Sequence, residues 1–359
     1  MKSNALIYCE NEFGNTDGKV TNGLVRQSET YRIVGIIDST KVGLDAGEYL
    51  DGIKNGIPVF NNMESALKEL KNIPQYFIYG IAPLTSFLSN QQKEIIFTAI
   101  KYGMNIVNGM PEFLNDNVQF RDIANKYGVT IQDVRKPPKR ENLHNFTGGI
   151  KNVKIPIIAV MGTDCAVGKR TTALLLVNAL RERGFNPVFV TTGQTGILQG
   201  SKYGVAIDVL TSGFASGEVE NAILNACKKE QPDIIVVEGQ GALSHPAFTS
   251  SSAILRGAMP DAIILQHPPM RENYCDYPNI PMLSLEDEIE MIEIFSKSKV
   301  IAITINHEDM TDQEIDDTII DYQIDYNLPT TDVLKHGCDK LIKELLKTFP
   351  KLKRESVLL

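Results

Sequence analysis

Short apolar runs alternate with amphipathic stretches along the first third of the chain. The runs are rich in isoleucine, valine and tyrosine, which favour strands, and the stretches between them have helical periodicity. The predicted strands cover residues 5–8, 32–37, 76–81, 105–107 and 129–134, and the predicted helices cover residues 64–70 and 91–102. Strands that alternate with helices predict βαβ units and a mostly parallel sheet.

Asp38 stands directly after the second predicted strand, where dinucleotide-binding folds often carry an acid for a ribose. The first predicted turn, residues 10–18, has no G-x-G-x-x-G fingerprint, so NAD binding is only weakly indicated. We therefore interpret Asp38 as a turn residue at the end of a strand in a Rossmann-like domain.

A change in composition marks a domain boundary near residue 150. Residues 135–140 carry adjacent prolines and four positive charges, and apolar periodicity is weak from there to residue 149. Such a stretch is typical of a linker, so we predict one domain over residues 1–150 and another over residues 151–359. The basic run is interpreted as a solvated connector, with a lip for an anionic ligand as the alternative.

The second domain opens with its most specific motif. An apolar strand at residues 155–160 leads into a glycine-rich turn, and a helix with an aliphatic face follows. Glycines let several backbone N–H groups point at one phosphate, the helix N-terminus adds partial positive charge, and Lys169 can reach the phosphate oxygens. The predicted phosphate-binding residues are Gly162, Thr163, Asp164, Val167, Gly168, Lys169, Arg170, Thr171 and Thr172.

Two departures from the usual G-x-x-x-x-G-K-[ST] pattern change the expected chemistry. Five residues separate Gly162 from Gly168, and Arg170 stands where a hydroxyl normally binds Mg²⁺. Metal-dependent hydrolysis of a nucleoside triphosphate is therefore not favoured. Thr171 and Thr172 can still donate to a phosphate or cap the helix.

Further polar segments follow the strands of this domain. A predicted strand at residues 187–191 leads into a glycine-spaced segment, residues 192–200, which we expect to be a substrate loop that uses Gln194 and Thr195; an ordinary surface loop is an equally good interpretation. Glu218 opens a predicted helix over residues 220–228, where its charge suits the first turn. The remaining predicted elements are helices at residues 286–295, after 312 and at 338–346, and a strand at residues 300–305.

An acid ends a strongly apolar predicted strand. Residues 234–237 are all aliphatic, and Glu238 follows them in the position of a Walker-B carboxylate, which orients a metal, a water or a nucleophile. His245 comes soon after, and His267 and Arg271 follow the next apolar run. Because parallel strands bring such positions to one edge, Glu238, His245 and His267 are the catalytic candidates.

Composition narrows the class of protein. A length of 359 residues exceeds what one core usually supports, and hydrophobic and charged fractions of 43% and 22% are ordinary for a globular protein. A net charge of −8 argues against nucleic acid as a partner, and no apolar run suits a membrane span or a secretion signal. Five dispersed cysteines without C-x-x-C spacing fit reduced thiols in the cytoplasm better than disulfides or a zinc site, so no metal is predicted.

The loop from Gly162 to Thr171 resembles that of dethiobiotin synthetases, and Glu238-Gly239 after a strand is similar to a pair in the same enzymes. Taken whole, the chain resembles a family long catalogued as a domain of unknown function, whose characterised members are D-glutamate N-acetyltransferases. The motifs that carry this resemblance are Gly80-Ile81-Ala82-Pro83, Asp133-Val134-Arg135-Lys136-Pro137-Pro138, Gly162-Thr163-Asp164-Cys165-Ala166-Val167-Gly168-Lys169, Gly193-Gln194-Thr195-Gly196, Glu238-Gly239-Gln240-Gly241 and Gln266-His267-Pro268. One departure is Gly213, where an aspartate is expected before Phe214.

The resemblance implies an α/β protein with an N-terminal Rossmann-like domain and a P-loop NTPase-like domain. It also implies transfer of an acetyl group from acetyl-CoA to the amine of a D-amino acid. In that reaction Glu238 or His245 would be the base, and Arg135 or Arg271 would pair with the substrate carboxylate. Backbone N–H groups of residues 193–196 or 239–241 would bind the oxyanion.

Two other functions are consistent with the residues. An ATP- and Mg²⁺-dependent ligase of the dethiobiotin-synthetase type would release ADP, and Arg170 weighs against it. A non-catalytic nucleotide-sensing module would bind its ligand without turnover. In the favoured case we expect a cytoplasmic homo-oligomer that acts on a small molecule, with no nucleic-acid or membrane partner.

Overall fold

The computed structural model describes residues 2–83 and 87–352 of the chain. The chain divides into two compact units, one that runs to Pro137 and includes Gln194–Ser201, and one that contains Pro138–Gly193 and the chain from Lys202 onward. The boundary that the sequence predicts near residue 150 lies inside the second unit. Within the described residues no helix combines the length and apolar character needed to cross a bilayer.

The first unit is a parallel sheet flanked by helices. Its strands are β1 (Ser3–Tyr8), β2 (Tyr31–Ile37), β3 (Val59–Phe60), β4 (Tyr76–Tyr79), β5 (Asn105–Asn108) and β6 (Ile131–Asp133). Its helices are α1 (Lys19–Arg26), α2 (Ala46–Asp51), α3 (Met63–Glu69), α4 (Asn90–Lys101), α5 (Val118–Tyr127) and α7 (Gln194–Gln199). The strand order is β3-β2-β1-β4-β5-β6: β2 and β3 are added on one side of β1, and β4, β5 and β6 are added on the other. This is the Rossmann-like arrangement.

Asp38 ends β2 as a structural residue. It is fully buried, and its carboxylate accepts hydrogen bonds from the backbone N–H of Phe13 at 3.1 Å and of Thr40 at 2.9 Å. These bonds tie the loops after β1 and β2 together. The interpretation of Asp38 as a turn residue is therefore confirmed.

The sequence predicts a substrate loop over residues 192–200. The prediction of a loop is wrong, because this segment contains the helix α7. Leu198 is buried in an apolar cluster of the first unit, and Nε2 of Gln199 donates to the carbonyl of Gly23 at 2.8 Å. Burial of one aliphatic side chain and these backbone contacts stabilise a short helix that local propensity alone does not predict.

The second unit is also a parallel sheet. Its strands are β7 (Ile157–Gly162), β8 (Pro187–Thr191), β9 (Tyr203–Gly204), β10 (Ile234–Glu238), β11 (Ala262–His267), β14 (Lys299–Ile305) and β15 (Thr330–Thr331), in the order β15-β14-β11-β7-β10-β8-β9. Its helices are α6 (Lys169–Glu182), α8 (Ser212–Glu230), α9 (Ser250–Ala258), α10 (Leu285–Ser296), α11 (Asp312–Asp325) and α12 (Asp339–Thr348). A separate hairpin pairs β12 (Asn273–Tyr274) with β13 (Tyr277–Pro281).

Both faces of this sheet are buried, which explains its continuous apolar strands. Along β7, Ile157 and Ala159 pack into one apolar cluster, and Ile158 and Val160 pack into another. Alternate side chains of a strand point to opposite faces, so a strand between two helical layers must be apolar throughout.

The stretch expected to be a plain linker is held by α8. Glu218 accepts a hydrogen bond from the backbone N–H of His144 at 2.6 Å, and Glu220 accepts from those of Thr147 at 2.6 Å and Ile150 at 3.1 Å. Because α8 begins at Ser212, Glu218 lies inside this longer helix and does not open it. The two carboxylates satisfy backbone groups that have no secondary-structure partner.

Candidate active site

The candidate residues of the second unit lie at one edge of its sheet. Strands β11, β7 and β10 are neighbours and run parallel. The phosphate loop follows β7, Glu238 ends β10 and His267 ends β11. The topology therefore brings the three motifs to the same carboxyl edge.

Glycines shape the phosphate loop. Gly168 has a φ of 101°, a left-handed conformation, and α6 begins directly after it at Lys169. A Cβ at Gly162 would come within 2.8 Å of Cδ of Lys169. Glycine at the end of β7 thus lets the lysine side chain fold closely over the loop.

Lys169 is the buried cation of this loop. The residue is 7% exposed, and its ammonium donates a hydrogen bond to the carbonyl of Asp164. Burial lowers the pKa of Lys169, while the groups of Cys165 and Asp164 oppose that shift. A phosphate in the loop would give this amine a strong anionic partner.

Two threonines of the loop and helix bond to β11. Oγ1 of Thr172 donates to Oε1 of Gln266 at 2.5 Å, and Oγ1 of Thr163 lies 2.8 Å from Nδ1 of His267. The hydroxyl of Thr172 is thereby engaged in anchoring α6 to the neighbouring strand. Thr171, which is half-buried, is then the better candidate for a phosphate contact.

Glu238 is a buried carboxylate held by the end of β8. Its Oε2 accepts hydrogen bonds from Oγ1 of Thr191 and from N–H of Thr192, the latter at 3.2 Å. Burial raises the pKa of Glu238, and the positive charges of Arg170 and Lys169 oppose that rise. A carboxylate with a raised pKa takes up a proton more readily near neutral pH, which suits a general base.

His245 is enclosed by aromatic rings and a carboxylate. Its ring stacks on Phe248 at a centroid distance of 4.7 Å and meets Tyr274 edge-on at 4.9 Å. The side chain is fully buried, and its Nε2 makes no hydrogen bond within the described residues; Oδ1 of Asp164 is 3.8 Å away. Burial lowers the pKa of His245, although Asp164 opposes the shift.

His267 is a neutral histidine in this structure. Burial and the nearby charge of Arg271 lower its pKa to about 4. At neutral pH the ring carries no charge, and its Nδ1 can form a hydrogen bond with the hydroxyl of Thr163.

Arg271 is engaged with two carboxylates of the protein. Its Nε and Nη2 donate to the two oxygens of Glu308 at 2.7 Å each, and its Nη1 donates to Oδ2 of Asp164 at 2.7 Å. Although burial works against it, pairing with Glu308 and Asp164 raises the pKa of Arg271. The predicted contact with a substrate carboxylate stays a prediction, but the guanidinium already positions the phosphate loop.

The other predicted substrate residues belong to the first unit. Gln194 and Thr195 are buried in the first turn of α7, and burial lowers the pKa of Arg135. Their contact with substrate stays a prediction.

Sequence analysis misses two buried or paired acids near this edge. Glu308 pairs with Arg271, and Glu288 accepts a hydrogen bond from the backbone N–H of Leu243 at 2.8 Å. Both lie in acidic stretches, so neither stands out by residue type. The position of Glu308 shortly after β14, at the same sheet edge, is the one signal that could have found it.

The fold and the site define a class: a protein that joins a Rossmann-like domain to a P-loop domain. The sequence profile described as a domain of unknown function (DUF1611_C), P-loop domain, matches residues 144–342. The profile described as a domain of unknown function (DUF1611_N), Rossmann-like domain, matches residues 39–137. The chain belongs to the DUF1611 family.

Relatives of this chain include enzymes. It is 31% identical over 275 residues to a D-glutamate N-acetyltransferase of Pseudoalteromonas sp, covering 75% of this chain and 80% of the relative. It is 28% identical over 289 residues to a D-glutamate N-acetyltransferase of Tritonibacter scottomollicae, covering 79% and 84%. The crystal structure of a DUF1611 family protein from Anabaena variabilis superposes with a TM-score of 0.88 at 29% identity, covering 96% of this chain and 100% of that one. The resemblance inferred from the motifs is confirmed.

Proposed function

We propose that the protein transfers an acetyl group from acetyl-CoA to the amine of a D-amino acid of the D-glutamate type. The observation that carries the proposal is a phosphate loop that lacks the magnesium-binding hydroxyl and lies beside the buried carboxylate of Glu238. The two relatives named D-glutamate N-acetyltransferase support the same reaction class.

Coenzyme A suits the loop because it carries a diphosphate and a 3′-phosphate. Loop N–H groups, the N-terminus of α6, Lys169 and Arg170 would hold these phosphates. No phosphoryl group moves in acetyl transfer, so the Mg²⁺ ligand of an NTPase is not needed. This accounts for Arg170 in the position that usually holds a hydroxyl.

Glu238 is the proposed base. It would take a proton from the substrate amine, whose nitrogen attacks the thioester carbonyl; the N–C bond forms, the C–S bond breaks, and the proton passes to the departing thiolate. The oxyanion needs N–H donors. Gly239 is not one of them, because its N–H donates to the carbonyl of Val160 at 3.0 Å.

The experiment that tests this function follows thiol release from acetyl-CoA and the mass of the product. We expect the wild type to acetylate D-glutamate, faster than L-glutamate, without added Mg²⁺ or ATP. Glu238→Gln should lower kcat about 100-fold or more, as loss of a general base does. The exposed Glu182→Gln on α6 is the matched control and should keep full activity.

Two outcomes would count against the proposal. Full activity of Glu238→Gln would remove Glu238 as the base. Release of ADP from ATP only with Mg²⁺, with no thiol from acetyl-CoA for any D-amino acid, would indicate the ligase instead.

A further inference from the structure

Three chemically different metal ligands meet beside the phosphate loop. A carboxylate oxygen of Asp164, the thiol sulfur of Cys165 and a ring nitrogen of His245 all lie within 4.8 Å of one another. Asp164 and Cys165 belong to the loop after β7, and His245 belongs to the loop after β10, 80 residues later than Cys165. Folding of the second unit therefore brings together residues that are far apart in the sequence, and no local motif marks the cluster.

The histidine of this cluster points an unsatisfied nitrogen at it. The side chain of His245 is 0% exposed, and its Nε2 has no hydrogen-bond partner in the described ranges. That nitrogen lies 3.8 Å from Oδ1 of Asp164 and 4.0 Å from Oδ2 of Asp276. A buried polar nitrogen without a partner is costly, and a bound cation would satisfy it.

Asp164 has one carboxylate oxygen to offer. Its Oδ2 accepts hydrogen bonds from Nη1 of Arg271 at 2.7 Å and from N–H of Cys275 at 2.8 Å. Its Oδ1 accepts only N–H of Cys165, at 2.6 Å, among the bonds described, and it faces His245. These bonds orient the carboxylate toward the cluster, as outer partners of a metal ligand do.

We propose that Asp164, Cys165 and His245 form a zinc site. Thiolate, imidazole and carboxylate ligands together suit Zn²⁺, which binds them tetrahedrally. Zinc bonds of about 2.0–2.3 Å place ligand atoms roughly 3.3–3.8 Å apart. The observed separation of 3.8 Å between His245 and Asp164 lies at the upper end of this range, and atoms up to 4.8 Å apart would have to approach by about 1 Å.

The charge of the ligands is compatible with this site, and metal binding breaks one hydrogen bond. A thiolate and a carboxylate neutralise Zn²⁺, and the charge of Arg271 is balanced by Glu308. Nδ1 of His245 accepts a long hydrogen bond of 3.2 Å from N–H of Ala247. Ligation through Nε2 moves the ring proton to Nδ1, so this one contact opens in exchange for a metal–nitrogen bond.

Three protein ligands leave the fourth tetrahedral position to a water or a substrate atom. The site goes beyond the proposed acetyl transfer, and it is measured without acetyl-CoA or amino acid. Its failure would therefore leave the proposed function untouched.

The test is a titration of the chelator-treated full chain with Co²⁺ as a spectroscopic substitute for zinc. We expect one Co²⁺ per chain, visible bands of tetrahedral cobalt and a near-ultraviolet thiolate-to-cobalt band, all displaced by Zn²⁺. Cys165→Ser should lose the thiolate band, and His245→Gln should weaken binding at least tenfold. Cys275→Ser, whose residue also adjoins Asp164, is the matched control and should keep the band.

A second measurement does not depend on variants that fold. In the wild type, Zn²⁺ should protect Cys165 from alkylation, read by peptide mass spectrometry, while Cys227 on α8 reacts equally with and without metal. Absence of stoichiometric binding, an unchanged thiolate band in folded Cys165→Ser, or unprotected Cys165 would overturn the site.

Discussion

Burial decides the charge of the histidine that ends β11. His267 is 8% exposed, and its pKa is lowered from 6.5 to about 4 by burial and by Arg271. Between these two values the unfolded chain binds more protons than the folded one. The free energy of unfolding therefore falls as the pH drops through 6.5, and it continues to fall until about pH 4.

Replacing His267 should make the free energy of unfolding less dependent on pH between 6.5 and about 4. The separation of the two pKa values corresponds to about 3 kcal/mol of unfolding free energy, which the wild type loses and His267→Gln keeps. Urea unfolding at stepped pH, followed by circular dichroism, measures the difference. His336→Gln, at an exposed position, is the control, and equal slopes for wild type and His267→Gln would contradict the account.

At the level of secondary structure, the first turn of α6 carries Arg170, whose positive charge acts on Glu238. Burial raises the pKa of Glu238, and Arg170 is the strongest group that opposes this. Arg170→Thr restores the usual hydroxyl but removes the charge. The acid limb of kcat/KM should therefore move to higher pH, and KM for acetyl-CoA should rise about tenfold through loss of a charged contact.

The pH dependence of initial rates measures both effects. Arg181→Thr, an exposed change in the last turn of the same helix, is the control and should behave as the wild type. Magnesium-dependent ATP hydrolysis in Arg170→Thr with unchanged acetyl-CoA kinetics would refute this assignment of Arg170.

The helix α8 should owe part of its attachment to Glu220. Burial alone would raise the pKa of Glu220, but hydrogen bonds from the backbone of Thr147 and Ile150 lower it below its usual value. Its stabilising contribution is therefore present above the unfolded pKa and lost as the pH falls through the folded one.

Glu220→Gln should cost about 1–3 kcal/mol at pH 7, because a charged acceptor of buried N–H groups is lost. Urea unfolding measures this, and the exposed Glu290→Gln on α10 should change little. If Glu220→Gln lowers the free energy of unfolding no more than Glu290→Gln does, the segment after Pro138 does not depend on the carboxylate of Glu220.

On the scale of the whole molecule, strand alternation and glycine motifs predicted the fold class. Continuous aliphatic runs such as residues 234–237 are typical of strands buried on both faces, and parallel strands place their polar ends together. Strand limits were less accurate: β7 spans Ile157–Gly162 where residues 155–160 were predicted. The first and last residues of a strand are fixed by its hydrogen bonds to neighbouring strands, which the local sequence does not show.

The rest of the site depended on contacts between distant segments. Sequence placed Arg271 at the sheet edge but could not show that Glu308 already pairs with it. Membership of α7 in the first unit follows from packing against α1, which no local pattern records. The cluster of Asp164, Cys165 and His245 likewise exists only because β7 and β10 are neighbours.

A thermal-shift comparison of acetyl-CoA with Mg·ATP tests whether the phosphate loop holds an acyl-CoA donor, as we propose. A ligand at about 100 times its dissociation constant stabilises the folded state by about 2.7 kcal/mol. We expect a clear shift with acetyl-CoA, its loss in Lys169→Gln, and its retention in the exposed Lys154→Gln. A shift with Mg·ATP and none with acetyl-CoA would contradict the account.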